Sequence, residues 1–172
     1  MSARKKVLVG SDVYLNVYDL NEMNDYLYNI GFGLFHTGVE INGVEYSFGE
    51  EMGIGKGEPK QAGGARFRES INMGMTYFSN AEIDRKIDNL RDIYRGDQYH
   101  VVLKNCNHFS NDLCIALLDT PIPSYINRCA TIASWFSCLF PRPEVEKEQI
   151  KHFSGHGNRL DNRKHSADTN TV

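Results

Sequence analysis

Leu34-Phe35-His36-Thr37-Gly38-Val39-Glu40-Ile41-Asn42-Gly43-Val44-Glu45-Tyr46-Ser47-Phe48 is the stretch on which the fold turns. Two apolar runs flank Asn42-Gly43, and both of those residues accept the positive φ of a type I′ turn, so the stretch predicts a β-hairpin with His36 on its first strand. On the N-terminal side, residues 12–18 are rich in β-branched and aromatic side chains and predict another strand. Between them Met23, Tyr26, Leu27 and Ile30 give a weak helical spacing that Gly31 ends. On the C-terminal side, residues 49–64 hold six glycines and no periodic pattern, which predicts a long surface loop, either a plain connector or a lid or rim for a substrate. A phosphate-binding loop does not fit there. Gly57 follows Gly55-Lys56 where Ser or Thr is needed, and no glycine stands five positions before Gly55.

Further along, residues 66–73 alternate as a strand, and Ser79 with Glu82 makes a capping box ahead of Ile83, Ile87, Leu90 and Tyr94 at helical intervals. Gly96 stops that helix. A short apolar run, Tyr99 to Leu103, leads into the polar turn Lys104-Asn105-Cys106-Asn107-His108-Phe109-Ser110, which opens an apolar helix ending near Leu118. Pro121 and Pro123 break the chain, and 125–140 reads as one or two short helices carrying Trp135. Trp135, Phe136, Leu139 and Phe140 either finish the core or form an apolar contact patch, which leaves a homodimer open. Residues 1–11 read as an N-terminal extension, 12–141 as the domain, and 142–172, polar and charged, as a disordered tail.

The chain has 172 residues, a 41% hydrophobic fraction and a net charge of −3, which suit one globular domain. Charges of both signs are mixed along it, which argues against a nucleic-acid surface. No apolar stretch reaches the ~20 residues of a transmembrane helix, and the N-terminus lacks the apolar core of a secretory signal. Four cysteines without tight spacing then read as reduced thiols of the cytosol or nucleus.

A cysteine in the first turn of a helix faces unpaired N–H groups and the positive end of the dipole, which favour thiolate. Cys106 shares a helical face with Phe109, Leu113 and Leu117 and so points inward. His108, ~200° around the helix, cannot share that direction. A base for Cys106 must come from another element, and His36 is the best placed candidate. In such a pair the imidazole ionises the sulfur, the thiolate attacks an acyl carbon, and the imidazolium protonates the leaving group. The Cys106 N–H is the natural first donor to the oxyanion, and Asn105 stands at the N-cap as helix cap or oxyanion candidate.

The same residues have plainer readings. Cysteine is commonly buried for packing, which is the reading for Cys114, Cys129 and Cys138, and His36 could be a core histidine. His100, Cys106, His108 and Cys114 could be metal ligands, but compact Cys-x-x-Cys or His-x-x-x-His pairs are absent, so no metal and no cofactor are expected. His152, His156 and His165 fall in the polar tail.

The blocks 13–19, 33–41, 45–49, 104–110 and 122–128 together resemble the PPPDE group of permuted papain-fold peptidases, also called desumoylating isopeptidases, most of all the desumoylating isopeptidase 2 subgroup. The resemblance implies an α+β fold, a small antiparallel sheet packed with helices, with histidine ahead of cysteine as a circular permutation of papain requires. Carried over by position, it makes Cys106 the nucleophile and His36 the base. It implies cleavage of isopeptide bonds on ubiquitin- or SUMO-conjugated proteins, with hydrolysis of acyl thioesters on proteins as an alternative for the same dyad. A noncatalytic adaptor of the same fold is the third reading.

Overall fold

A computed structural model describes residues 10–27 and 33–136, the last four by backbone only. In chain order the elements are β1 (Ser11–Asp19), α1 (Asn24–Leu27), β2 (Phe35–Ile41), β3 (Val44–Gly49), β4 (Gly53–Gly57), β5 (Arg66–Thr76), α2 (Asn80–Arg91), α3 (Cys106–Leu118) and α4 (Arg128–Phe136). The five strands form one antiparallel sheet in the order β4-β3-β2-β1-β5. This is the expected α+β architecture. The expected apolar patch at 135–140, Cys138, the extension up to residue 9 and the tail 142–172 lie outside the described residues.

The hairpin forms where Asn42-Gly43 predicts it, with φ of 52° and 74° at the two turn residues. Its register places Val39, Ile41, Tyr46 and Phe48 on one face with Val13, Leu15 and Val17 of β1. Alternation sends these side chains to the core, where Ile83 and Ile87 of α2 and Phe109, Leu113 and Leu117 of α3 cover them. Fully burying each such side chain stabilises the fold by ~1.5–3 kcal/mol. Phe48, Tyr94 and Phe109 close one end through edge-to-face contacts at 5.0 and 5.4 Å.

The expectation of an unbroken loop over 49–64 is wrong at its centre, because Gly53–Gly57 is an edge strand paired with β3. Its alternation is hidden in the sequence: Gly53, Gly55 and Gly57 occupy one face, and Ile54, the one apolar side chain on the other, is buried opposite Phe48. The helix expected over 20–30 is one turn, Asn24–Leu27, in the described part. Helix α2 starts at its capping box, with the Ser79 N–H donating to Glu82 Oε2 at 2.7 Å, and ends at Arg91, short of Tyr94.

Candidate active site

Helix α3 begins where Asn105 caps it. The Asn105 side chain accepts from the N–H groups of Asn107 and His108, while its amide nitrogen donates to Val101 O at 2.7 Å and Asn127 Oδ1 at 3.2 Å. Both hydrogens of that amide are therefore engaged in holding the turn. Cys106, next in sequence, is 2% exposed and points inward with Phe109 and Leu113.

The helix start is fastened to β2. The Thr37 hydroxyl donates to Asn107 Oδ1 at 2.9 Å and shares a second 2.9 Å bond with Ser110 Oγ. The pairing of β2 with β3 covers only Val39–Ile41, so residues 35–38 present an edge free of β3. Phe35 and Thr37 have the same backbone parity. Asn107 Nδ2 takes the Phe35 carbonyl at 3.2 Å, and the backbone of Thr37 meets the Cys106 sulfur. Cys106 therefore lies against the strand one residue from His36.

The two side chains nevertheless leave β2 on different faces. Thr37 faces α3; His36 faces away from it, beside the Tyr18 ring at 5.7 Å. Among the described residues no hydrogen bond joins Cys106 Sγ to the imidazole, and the sulfur's hydrogen-bond acceptor is Asn107 Oδ1 at 3.6 Å. Each group opens on its own cavity. Cys106 borders one of about 130 Å³ with Leu34, Phe35, Tyr99, Ile126 and Cys129. His36 borders one of about 340 Å³ with Glu45, Ser47 and the segment 55–65. Leu20 lines both. His108 turns away from the sulfur, its Nδ1 2.7 Å from Asn105 Oδ1 and its Nε2 3.1 Å from Asn127 Nδ2.

The electrostatics differ from what helix position alone implies. Burial pushes the Cys106 thiol above its ordinary value, and the contacts that favour thiolate, from the Thr37 backbone, the Tyr99 hydroxyl and the Asn107 backbone, do not reverse it. The N-terminal helix field is outweighed by desolvation. Tyr99 is pushed up to about 12, by burial first and then by the neighbouring sulfur. Burial lowers His36, and the charge of Glu45 opposes that shift. Tyr99, Asn107, Asn127 and Glu45 thus belong to the surroundings of the pair, and the sequence reading assigned none of them a role. Only the repeated Asn residues around Cys106 signal a polar network in the sequence. Among the described residues no group of three or more His, Cys, Asp and Glu side chains converges as metal ligands would.

The chain is thus an α+β protein in which a small antiparallel sheet packs with a helix that presents a cysteine in its first turn. The family described as "PPPDE putative peptidase domain" matches residues 11–144, and the chain belongs to this PPPDE peptidase family. It is 42% identical over 133 residues to a DeSI-like protein of Arabidopsis thaliana, covering 75% of this chain and 59% of that one. It is 41% identical over 140 residues to a desumoylating isopeptidase 1 homolog of Caenorhabditis elegans, covering 77% and 41%. The DeSI-like protein sdu1 of Schizosaccharomyces pombe is 34% identical over 136 residues, covering 74% and 68%. The chain spans about half the length of the first two relatives.

Proposed function

We propose that the protein is a thiol isopeptidase that removes ubiquitin or SUMO from conjugated proteins, with Cys106 as nucleophile and His36 as base. The observation that carries the reading is the fastening of the Cys106 turn to the free edge of β2, where Asn107 bonds the Thr37 hydroxyl at 2.9 Å and the Phe35 carbonyl at 3.2 Å, on either side of His36. Separation of the pair in the resting chain is compatible with this role, since catalytic hydrogen bonds commonly tighten only once substrate binds.

In the proposed reaction the imidazole accepts the thiol proton and the thiolate adds to the isopeptide carbonyl carbon. The oxyanion is met by the Cys106 N–H and by the Tyr99 hydroxyl, which borders the same cavity. Collapse breaks the C–N bond as the imidazolium gives its proton to the departing lysine amine. Water, deprotonated by the same imidazole, then hydrolyses the thioester to a carboxylate and restores the thiol. Asn105 holds the turn and takes no part in proton transfer. Cytosol and nucleus, where thiols stay reduced, are the proposed compartments. Cleavage of isopeptide-linked ubiquitin and SUMO conjugates tests the reading: C106S and H36A should abolish turnover and Y99F should reduce it ~100- to 1000-fold. Turnover unchanged in C106S contradicts it.

The lining of the Cys106 cavity, mostly apolar through Leu20, Leu34, Phe35, Val101 and Ile126, favours a second reading, hydrolysis of fatty acyl thioesters on proteins. A fluorogenic acyl-thioester substrate distinguishes it, with Cys106-dependent release expected and its absence excluding it.

A further inference from the structure

The face of the sheet opposite α3 holds a buried polar cluster that neither the fold nor the thiol chemistry explains. Glu45 projects from β3 onto this face and is 7% exposed. Both of its carboxylate oxygens accept from the Tyr18 hydroxyl, at 2.8 and 2.7 Å. Oε2 also accepts from Asn16 Nδ2 at 2.6 Å and from the Lys60 N–H at 3.0 Å. Every one of these donors is neutral, and among the described residues no ion pair joins Glu45, since the Lys60 ammonium lies 3.9 Å from Glu40 instead. The carboxylate is thus held firmly while its charge is left without a counter-ion.

Where that charge sits follows from Gly38. A methyl group at Gly38 would collide with Oε1, Cδ and Cγ of Glu45, so the side chain lies flat across β2 at this position. Gly38 is two residues from His36 and therefore on the same face of the strand. Tyr18 pairs with His36 across β1 and β2, and its ring packs 5.7 Å from the imidazole while its hydroxyl holds Glu45. Glu45 and His36 border one cavity.

We propose that Glu45 is a positioning residue for His36: fixed by Tyr18, Asn16 and the Lys60 N–H and laid over Gly38, its carboxylate stabilises the imidazolium that forms when Cys106 gives up its proton. This inference rests on the reading of His36 as the base. It extends a cysteine–histidine pair to a relay in which the third group acts through space and through Tyr18. Burial disfavours a charged imidazole, and the Glu45 charge is what offsets it. The other titratable groups on this face are Tyr18 from β1, which packs on the imidazole, Lys56 and Glu58, which line the same cavity, and Glu40, four residues along β2 and drawn to Lys60 at 3.9 Å. Lys56, Glu58 and Lys60 are exposed and screened by water, so the buried carboxylate dominates.

The test is the imidazole pKa of His36 in the full chain, followed by NMR and assigned by the signal lost in H36A. In E45Q it should fall by about one pH unit relative to wild type, and in E45D, where the charge is retained but drawn back, by part of that. A pKa unchanged in E45Q overturns the proposal, and if E45Q does not fold, an unchanged value in E45D does so. The acid limb of isopeptidase activity, where protonation removes the base, should move to lower pH in the same order. Loss of kcat in E45Q with both the limb and the imidazole pKa unmoved would mark Glu45 as merely structural. The titration needs no turnover, so its outcome is separate from that of the thiol reading, which fails if C106S remains active.

Discussion

Thr37→Val tests whether the joint between β2 and α3 is what places Cys106. Valine has nearly the shape of threonine, so the change leaves no cavity and removes only the hydroxyl. Thr37 is fully buried, and its hydroxyl supplies the 2.9 Å bonds to Asn107 Oδ1 and Ser110 Oγ. Two hydrogen bonds at ~1 kcal/mol each, plus buried partners left unpaired, give an expected loss of ~2–3 kcal/mol. Asn107 Oδ1 would retain only the weak thiol donor at 3.6 Å. For a chain of this size the loss corresponds to a fall in Tm of roughly 4–12 °C. Urea unfolding followed by circular dichroism should show a lower midpoint with unchanged slope. Thr37→Ser keeps the hydroxyl and loses one buried methyl, at a cost of ~1 kcal/mol, so the expected order is wild type, T37S, T37V. A T37V protein within ~0.5 kcal/mol of wild type, or one more stable than T37S, refutes the reasoning.

Iodoacetamide should label Cys106 with a midpoint above the ~8.5 of an ordinary thiol, read by mass spectrometry of its peptide; a midpoint well below that value would show that burial does not govern the sulfur. Asn105→Ala should cost ~1–2 kcal/mol of stability through loss of the α3 cap, seen as a lower urea midpoint. The Asp19 carboxyl is held below its usual range: burial, the largest single effect, raises it, and Arg68, Asn24 and Arg66 together outweigh burial. Its contribution is present above the unfolded value of ~3.9 and lost as pH falls through the lower folded value. Asp19→Asn should therefore be destabilised at neutral pH, with its deficit against wild type shrinking below pH ~4; a constant deficit across that range contradicts the assignment.

Local chemistry explains which parts of this fold could be read from the chain. Asn42-Gly43 specifies its turn by φ alone, and Ser79 and Asn105 mark helix starts because a cap needs only its own next few residues. The helical phase of Cys106, Phe109, Leu113 and Leu117 likewise put one buried face on α3. Strand β4 was invisible because its pattern lies in glycines, which carry no hydropathy signal. Tyr99, Asn107, Asn127 and Glu45 acquire their surroundings from contacts tens of residues away, as when Glu45 meets Tyr18 across 27 positions. The thiol illustrates the same limit: helix position favours ionisation, but the burial that opposes it is set by packing on β2.

The central claim, that Cys106 is a nucleophile served by His36, is tested most directly by ubiquitin and SUMO bearing a C-terminal electrophile. The account predicts a covalent adduct on Cys106 with at least one of the two, absent in C106S and strongly slowed in H36A. No adduct with either probe, or labelling that proceeds equally in H36A, contradicts it.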